Sequence, residues 1–146
     1  MALSASNASD RARQLIALSV RLGERLVSET QSLAAHRPQD IYDGIEETRN
    51  LSNLYRHETL RIKADPTLLD GLPAVDKQAL REATELFQAR LHKYELAVNA
   101  AKTVTEGIIN AVAQDLSAQR NQSATYGARG RTRDSGPQTL NFGKNA

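Results

Sequence analysis

The chain has 146 residues, of which 40% are hydrophobic and 4% aromatic, and it contains no cysteine and no tryptophan. That length suits about one domain with a core of Leu, Ile, Val and Ala, a composition that favours helices over sheets, and the lack of cysteine excludes disulfides and thiolate metal sites. The charge is uneven, because residues 121–146 hold four basic residues against one acid, whereas residues 1–120 hold 15 against 16.

The N-terminus predicts no export signal. It lacks a basic segment, and its nearest apolar run, Leu15 to Leu18, is too short for a signal-peptide core or a membrane span. We therefore expect a soluble, cytoplasmic protein with a flexible N-terminus over residues 1–8.

Leucines predict a first helix over residues 9–36. They recur at spacings of 3, 4, 4 and 7, which places them on one helical face: Leu15, Leu18, Leu22, Leu26 and Leu33. Ser9 or Asp10 is the expected N-cap, and Pro38 marks the end of this helix, since proline cannot continue it.

A second helix is predicted over residues 38–64, with Pro38 in its first turn. Its inward positions alternate at spacings of 4 and 3, which is heptad spacing with a partly polar seam: Ile41, Ile45, Thr48, Ser52, Tyr55, Thr59 and Ile62. A short turn over residues 66–70 should follow, capped by Asp65 and closed by Gly71 and Pro73.

The third predicted helix, residues 74–120, is the longest element. Its 4 and 3 alternation continues over about five heptads, which is typical of coiled-coil packing. At 1.5 Å per residue it spans roughly 65 Å, against about 40 Å and 35 Å for the first two helices. The sequence thus predicts an all-α protein of three antiparallel helices whose long C-terminal helix is bent, overhangs its partners or is covered by another chain.

The C-terminal half of this helix carries a broad apolar surface. Its residues are Val104, Ile108, Ile109, Val112 and Leu116. Three interpretations are open: a groove for a client protein, the seam of a homodimer, or intramolecular core covered by the first helix.

The sequence nominates no catalytic or metal site. His36, His57 and His92 have no partner at i+3 or i+4 that would build a metal-binding face, and acidic pairs such as Glu46 and Glu47 are typical of solvated helix faces. We therefore expect no enzyme activity, no cofactor and no metal.

Residues 121–146 are expected to form a disordered basic tail. Arg129, Arg131 and Arg133, with one acid nearby, are too few for strong phosphate binding, so we do not expect a nucleic-acid partner. A segment that a protein partner recognises is the favoured interpretation, with Tyr126 as its aromatic anchor.

The order of elements and three motifs resemble the FlgN-type flagellar type III export chaperones, in their FlbY-like branch. The motifs are NLYRHE at residues 53–58, TVTEGIINAVA within the third helix, and TYGARG after it. The resemblance covers roughly residues 10–130.

This resemblance implies an antiparallel helical protein that holds a hook-filament junction subunit in the cytosol before export. The end of the long helix would bind the C-terminal helical segment of the subunit, with Ile108, Ile109, Val112 and Leu116 in the groove. Tyr126 matches the tyrosine that helps to dock such chaperones at a membrane protein of the export gate. The alternative from another class is a homodimeric coiled-coil protein, structural or regulatory, without a client.

Overall fold

The structure, a computed structural model, describes residues 2–130. In this range the chain is all α, which confirms the predicted fold class. Three long helices are joined by two 3-10 helices: α1 (Ala8–Ala34), the 3-10 helix Pro38–Gly44, α2 (Ile45–Ala64), the 3-10 helix Pro66–Leu69, and α3 (Ala74–Gly130). The chain divides into two units, of which the first ends at Thr103 and the second begins at Val104.

The N-cap of α1 is Asn7, so the expectation of Ser9 or Asp10 was wrong. Asn7 has an extended backbone with φ of −158°, and its side-chain oxygen accepts the backbone N–H of Asp10 at 2.8 Å. The Asp10 carboxylate in turn accepts the backbone N–H of Ser6, and this hydrogen bond is the main cause that lowers the pKa of Asp10. Asp10 therefore belongs to the first turn of the helix.

Residues preceding α1 are attached to the helices, although the sequence suggests a flexible N-terminus. The backbone N–H of Leu3 donates to Oε1 of Glu58 at 2.9 Å. Gln14 donates its amide to the carbonyl of Ser4 at 3.0 Å. These contacts connect the N-terminal segment to both α1 and α2.

A Schellman motif ends α1 at Ala34, two residues before the predicted end. The N–H of Arg37 donates to the carbonyl of Ser32 at 2.8 Å, and the N–H of His36 donates to the carbonyl of Leu33 at 3.1 Å. His36 occupies the left-handed position of this motif, with φ of 56°. The local backbone turn, and not only Pro38, thus sets the end of the helix.

His36→Gly is expected to raise the free energy of unfolding by about 0.5–1 kcal/mol, because glycine adopts the left-handed conformation without the steric cost of a Cβ. Urea denaturation followed by circular dichroism would measure the change. The matched control, His92→Gly inside α3, should instead lose roughly 0.3–0.5 kcal/mol. A loss of stability in His36→Gly would show that the imidazole contributes more than its backbone conformation costs.

The segment Pro38–Gly44 is a 3-10 helix, so the second α-helix begins at Ile45 and not at Pro38. Asp40 donates its backbone N–H to the carbonyl of Arg37 at 3.1 Å, which closes a tight turn of the 3-10 type. The guanidinium of Arg25 occupies the space that a Cβ at Gly44 would need. One predicted helix is therefore two elements, and Gly44 at their junction lies against α1.

The connector after α2 matches its prediction closely. The Asp65 side chain accepts the backbone N–H of Thr67 at 3.2 Å and caps the 3-10 helix. Gly71 has φ of 74°, a conformation that glycine adopts without strain. Leu72 is buried, and it is the apolar anchor of this connector.

Helices α1 and α2 are antiparallel. Nε of Arg21 lies 3.0 Å from Oε1 of Glu47, near the start of α2. Closer to the start of α1, Arg11 contacts Glu58, near the end of α2. The pairs thus run in opposite directions along the two helices.

The N-terminal part of α3 runs parallel to α1. A Cβ at Gly23 would lie 3.0 Å from the guanidinium of Arg90, and Glu29, farther along α1, interacts with Tyr94, farther along α3. The first unit is therefore an up-down-up arrangement of three helices, as predicted.

Leu22, Leu26 and Phe87 form the centre of the core in this unit. The rings of Phe87 and Tyr55 are tilted by 46°, with centroids 4.5 Å apart. Partly buried side chains complete the cluster: Leu51, Tyr55, Leu91 and Tyr94. The leucine face predicted for the first helix thus supplies most of the buried apolar side chains: Leu15, Leu18, Leu22 and Leu26.

Helix α3 continues to Gly130, ten residues beyond its predicted end near Arg120. The low-propensity residues of this stretch cost at most about 1 kcal/mol each, and the sequence has no proline between Arg120 and Pro137. Thr125 also donates its hydroxyl to the carbonyl of Asn121 at 2.8 Å. Residues 121–130, predicted as disordered tail, are therefore helical, and the rest of that tail, residues 131–146, lies outside the described residues.

Candidate partner-binding surface

Five apolar side chains on the second-unit part of α3 are exposed, and we call them the C-terminal stripe. Their exposed fractions lie between 50% and 61%: Val104, Ile108, Ile109, Val112 and Leu116. At 100° per residue they fall within an arc of about 140°. This is the width expected of a helix face that packs against another helix.

Every described side chain from 102 to 127 is exposed. Exposure of the complete stripe is expected for a client groove or a dimer seam. A Cβ built at Gly107, which lies about 60° outside this arc by helical spacing, would meet no described atom within 4 Å. The surface around this glycine is therefore open.

Tyr126 lies within α3 and not beyond the end of the helix, and its exposed fraction is 79%. It follows Ile108 by about five helical turns, so the two side chains project from the same side of the helix at a separation of about 27 Å. Tyr126 also borders a shallow depression of about 300 Å³ with Asn121, Gln122 and Thr125. The ring therefore extends the direction of the stripe toward the C-terminus.

Charge near the stripe is sparse and acidic. From Val104 to Gln119 the sequence contains two acids, Glu106 and Asp115, and no basic residue. By helical spacing Asp115 lies inside the arc of the stripe, between Val104 and Ile108. A partner that covers this arc must accommodate one carboxylate.

A buried ion pair between α1 and α2 was not predicted from the sequence. Glu58 is 0% exposed, and its Oε2 accepts Nη1 of Arg11 at 3.1 Å while its Oε1 accepts the N–H of Leu3. The two charged residues are 47 positions apart in the chain. Burial of both charges is tolerable because each carboxylate oxygen has a donor.

A second buried carboxylate, Glu29, joins all three helices of the first unit. Thr48 of α2 donates its hydroxyl to Oε1 of Glu29 at 2.5 Å, and Nη2 of Arg25 lies 3.5 Å from the same oxygen. Burial raises the pKa of Tyr94 of α3, and the charge of Glu29 with a hydrogen bond to it adds to this rise. Among the described residues every buried side-chain polar atom has a hydrogen-bond partner.

One sequence signal could have revealed Glu29. The leucine spacing of 7 between Leu26 and Leu33 skips one inward position, and Glu29 occupies it, three residues after Leu26 and four before Leu33. A charged residue at a position whose neighbours are all leucine indicates a buried polar contact. The same reasoning applies to Arg11, four residues before Leu15.

The histidines occupy separate places. His36 follows the C-terminal end of α1, in its left-handed position, and His92 is exposed on α3. Nδ1 of His57 is 3.6 Å from Oε1 of Glu58. Within residues 2–130 no three His, Cys, Asp or Glu side chains are grouped as metal ligands would be. None of the helices in that range has the length and apolar character needed to cross a membrane.

Comparison with known proteins gives one clear relative. The chain is 42% identical over 135 residues to the flagellar basal-body protein FlbY of Caulobacter vibrioides, an alignment that covers 92% of this chain and 91% of that protein. No family model matches the chain, and no solved structure matches it. The FlbY-like part of the predicted resemblance is confirmed, while the relation to FlgN-type chaperones stays a prediction. The chain belongs to the FlbY family of flagellar basal-body proteins.

Proposed function

We propose that this protein is a cytosolic flagellar export chaperone that covers the C-terminal helical segment of a hook-filament junction subunit until the subunit is exported. The observation that carries the proposal is the exposed C-terminal stripe on α3. Membership of the FlbY family supports a flagellar role, and the predicted resemblance to FlgN-type chaperones gives the class of client.

The stripe suits reversible binding of an amphipathic helix. A client helix that packs on it gains roughly 25 cal/mol for each Å² of apolar surface buried, before ordering costs are subtracted. A single helix gains little stability from propensity alone, so burial against a client would also stabilise the second-unit part of α3. Such an interface opens without hydrolysis of a nucleotide, as a chaperone without an enzymatic site requires.

Docking at the export gate is the role we propose for Tyr126. Tyrosine offers a rigid apolar ring and one hydroxyl at a low cost in conformational entropy, and exposed tyrosines often anchor interfaces. Tyr126 is separated from the nearest residue of the stripe, Leu116, by about 15 Å along the helix. This separation is sufficient for a client and a gate protein to contact different parts of the helix.

Tyr126→Ala is expected to weaken binding to the membrane protein of the export gate by at least about 1 kcal/mol, the size of a modest hot spot, while binding of the junction subunit changes much less. Calorimetric titrations of the wild type and the variant with each partner would measure both affinities. The control is Tyr42→Ala, since Tyr42 is 71% exposed on the 3-10 helix of the first unit. It should leave both affinities unchanged.

The outcomes of these titrations are distinct. Equal losses for both partners would place Tyr126 in the client groove, and a loss for neither would remove it from the binding surface. Failure of the wild type to bind any junction subunit would contradict the chaperone function itself.

The alternative of a homodimer uses the same stripe. In a parallel, in-register dimer, Asp115 of one chain would face Asp115 of the other chain inside the seam. The two negative charges repel each other, which disfavours this pairing. Light scattering on the chain alone, and with a junction subunit, separates the two functions. A stable dimer that the subunit does not dissociate or bind would favour the homodimeric protein.

A further inference from the structure

Helix α2 presents a second regular face, which goes beyond the proposed function because it lies in the first unit. Its residues follow at spacings of 4, 3, 4 and 3, as in a coiled-coil seam: Arg49, Asn53, Arg56, Leu60 and Lys63. All five are exposed, and Leu60, near the middle of the helical arc, has an exposed fraction of 58%. We call these residues the α2 outer face.

The α2 outer face is basic. From Arg49 to Lys63 the helix carries four basic residues and one acid, Glu58, which is fully buried and paired with Arg11. The acids at the start of the helix are engaged as well, because Glu46 lies 3.7 Å from Arg49, and Glu47 is paired with Arg21. The exposed charge on the second half of α2 is therefore almost entirely positive.

Leu60 and Leu54 give an apolar floor to a groove beside this face. The groove has a volume of about 760 Å³ along α2, and by helical spacing the two leucines lie about 120° apart on the helix. Leu51, which also lines the groove, packs against the core of the first unit. Asn50, Asn53, Arg56 and His57 border the groove with amide, guanidinium and imidazole groups. An apolar floor with basic borders fits a helix that carries leucines on one side and carboxylates beside them.

Charge disfavours two occupants from this chain itself. Residues 121–146 hold four basic residues against one acid, so their net charge has the same sign as that of the α2 outer face. A second copy of the α2 outer face would meet like charges as well. The groove therefore fits a segment of a different protein.

We propose that the α2 outer face is a docking surface for an acidic amphipathic helix of another protein. The leucines of that helix lie on the groove floor, and its carboxylates pair with Arg56, Arg61 and Lys63. A nucleic-acid backbone would not use the leucine floor, and a membrane surface would require a convex apolar face in place of a groove.

The test uses the full chain and a designed peptide of about five helical turns with leucines at heptad positions and flanking glutamates. Its matched control peptide has every glutamate replaced by lysine. Amide chemical shifts of the 15N-labelled chain would map the site, and calorimetry would give the Kd. We expect the acidic peptide alone to bind, with shift changes confined to α2 and its immediate neighbours.

Two double variants decide the role of charge. Arg56→Glu with Lys63→Glu should weaken binding of the acidic peptide at least about tenfold, because two attractive contacts become repulsive. Lys77→Glu with Arg81→Glu makes the same change in net charge at exposed positions of α3, and it should change the Kd less than about twofold. Leu60→Ser should weaken binding about fivefold through loss of the floor.

Several outcomes would overturn the docking surface. Equal weakening by both double variants would indicate non-specific attraction, and shift changes centred outside α2 would indicate another site. Preferential binding of a DNA duplex, or of vesicles with anionic phospholipid, would show that nucleic acid or a membrane, and not an acidic helix, is the partner of this face. Because the C-terminal stripe is unchanged in these variants, binding of a junction subunit should persist, which separates this test from that of the chaperone function.

Discussion

Ile108→Asp combined with Val112→Asp is expected to abolish binding of a junction subunit and to leave the circular dichroism spectrum of a mostly helical protein. Both side chains are already more than half exposed, so the charges meet water in the free protein. In a complex, the same carboxylates would be buried against apolar side chains of the client, at a cost of several kcal/mol. Titration of the subunit by calorimetry, with circular dichroism of the free variant, measures both effects.

The matched control places the same charges on the opposite side of the same helix. Gln114→Asp with Ser117→Asp, both at exposed positions outside the arc of the stripe, should leave the affinity within about twofold of the wild type. If Ile108→Asp with Val112→Asp unfolds the chain, the stripe is packed core, and the groove is contradicted. Unchanged affinity would equally exclude the stripe as the client site.

Glu58→Ala is expected to lower the free energy of unfolding by about 3–5 kcal/mol, because it leaves the buried guanidinium of Arg11 without its carboxylate. The backbone N–H of Leu3 loses its acceptor in the same step. Urea denaturation at neutral pH measures the loss. The matched control is Glu47→Ala, which removes a partly exposed partner of Arg21 and should cost less than about 1 kcal/mol.

A double variant distinguishes the cost of a lone charge from the contribution of the pair. Arg11→Met with Glu58→Leu removes both charges and keeps similar volumes, and it should recover most of the stability lost in Glu58→Ala. If the double variant is as unstable as Glu58→Ala, then the N-terminal contact with Leu3, and not the ion pair, carries the effect.

Periodicity in the sequence was sufficient for the elements whose causes are local. Leucine spacing predicted α1 within two residues at each end, and Asp65 and Gly71 predicted the connector, because caps and turns depend on residues only a few positions apart. The residues of the C-terminal stripe were also predicted as one apolar face. Whether this face is exposed or covered by the first helix was left open, since a periodic pattern shows which face is apolar but not what covers it.

The observed helix boundaries differ from the predicted ones where packing or weak helix propensity decided them. The predicted second helix is divided into Pro38–Gly44 and α2, and at their junction Gly44 lies against Arg25, 19 positions earlier in the chain. Helix α3 extends through Tyr126 because the small helix propensities of many residues add up. No single residue in the sequence marks this extension. It moves Tyr126 from a tail to a helix that it shares with the stripe.

The sequence by itself determined that the chain is all α with three helices of periodic apolar residues. It also determined that the C-terminal part of the third helix carries an apolar stripe and that the chain has no disulfides. Only the tertiary structure decided that Glu58 and Glu29 are buried and that the C-terminal stripe is exposed. The physical reason is that the burial of a charge depends on a donor supplied by another helix, as Arg11 is supplied to Glu58 across 47 positions of the chain. Exposure of an apolar face likewise depends on which other elements pack against it. The spacing of apolar residues along one helix does not show which elements these are.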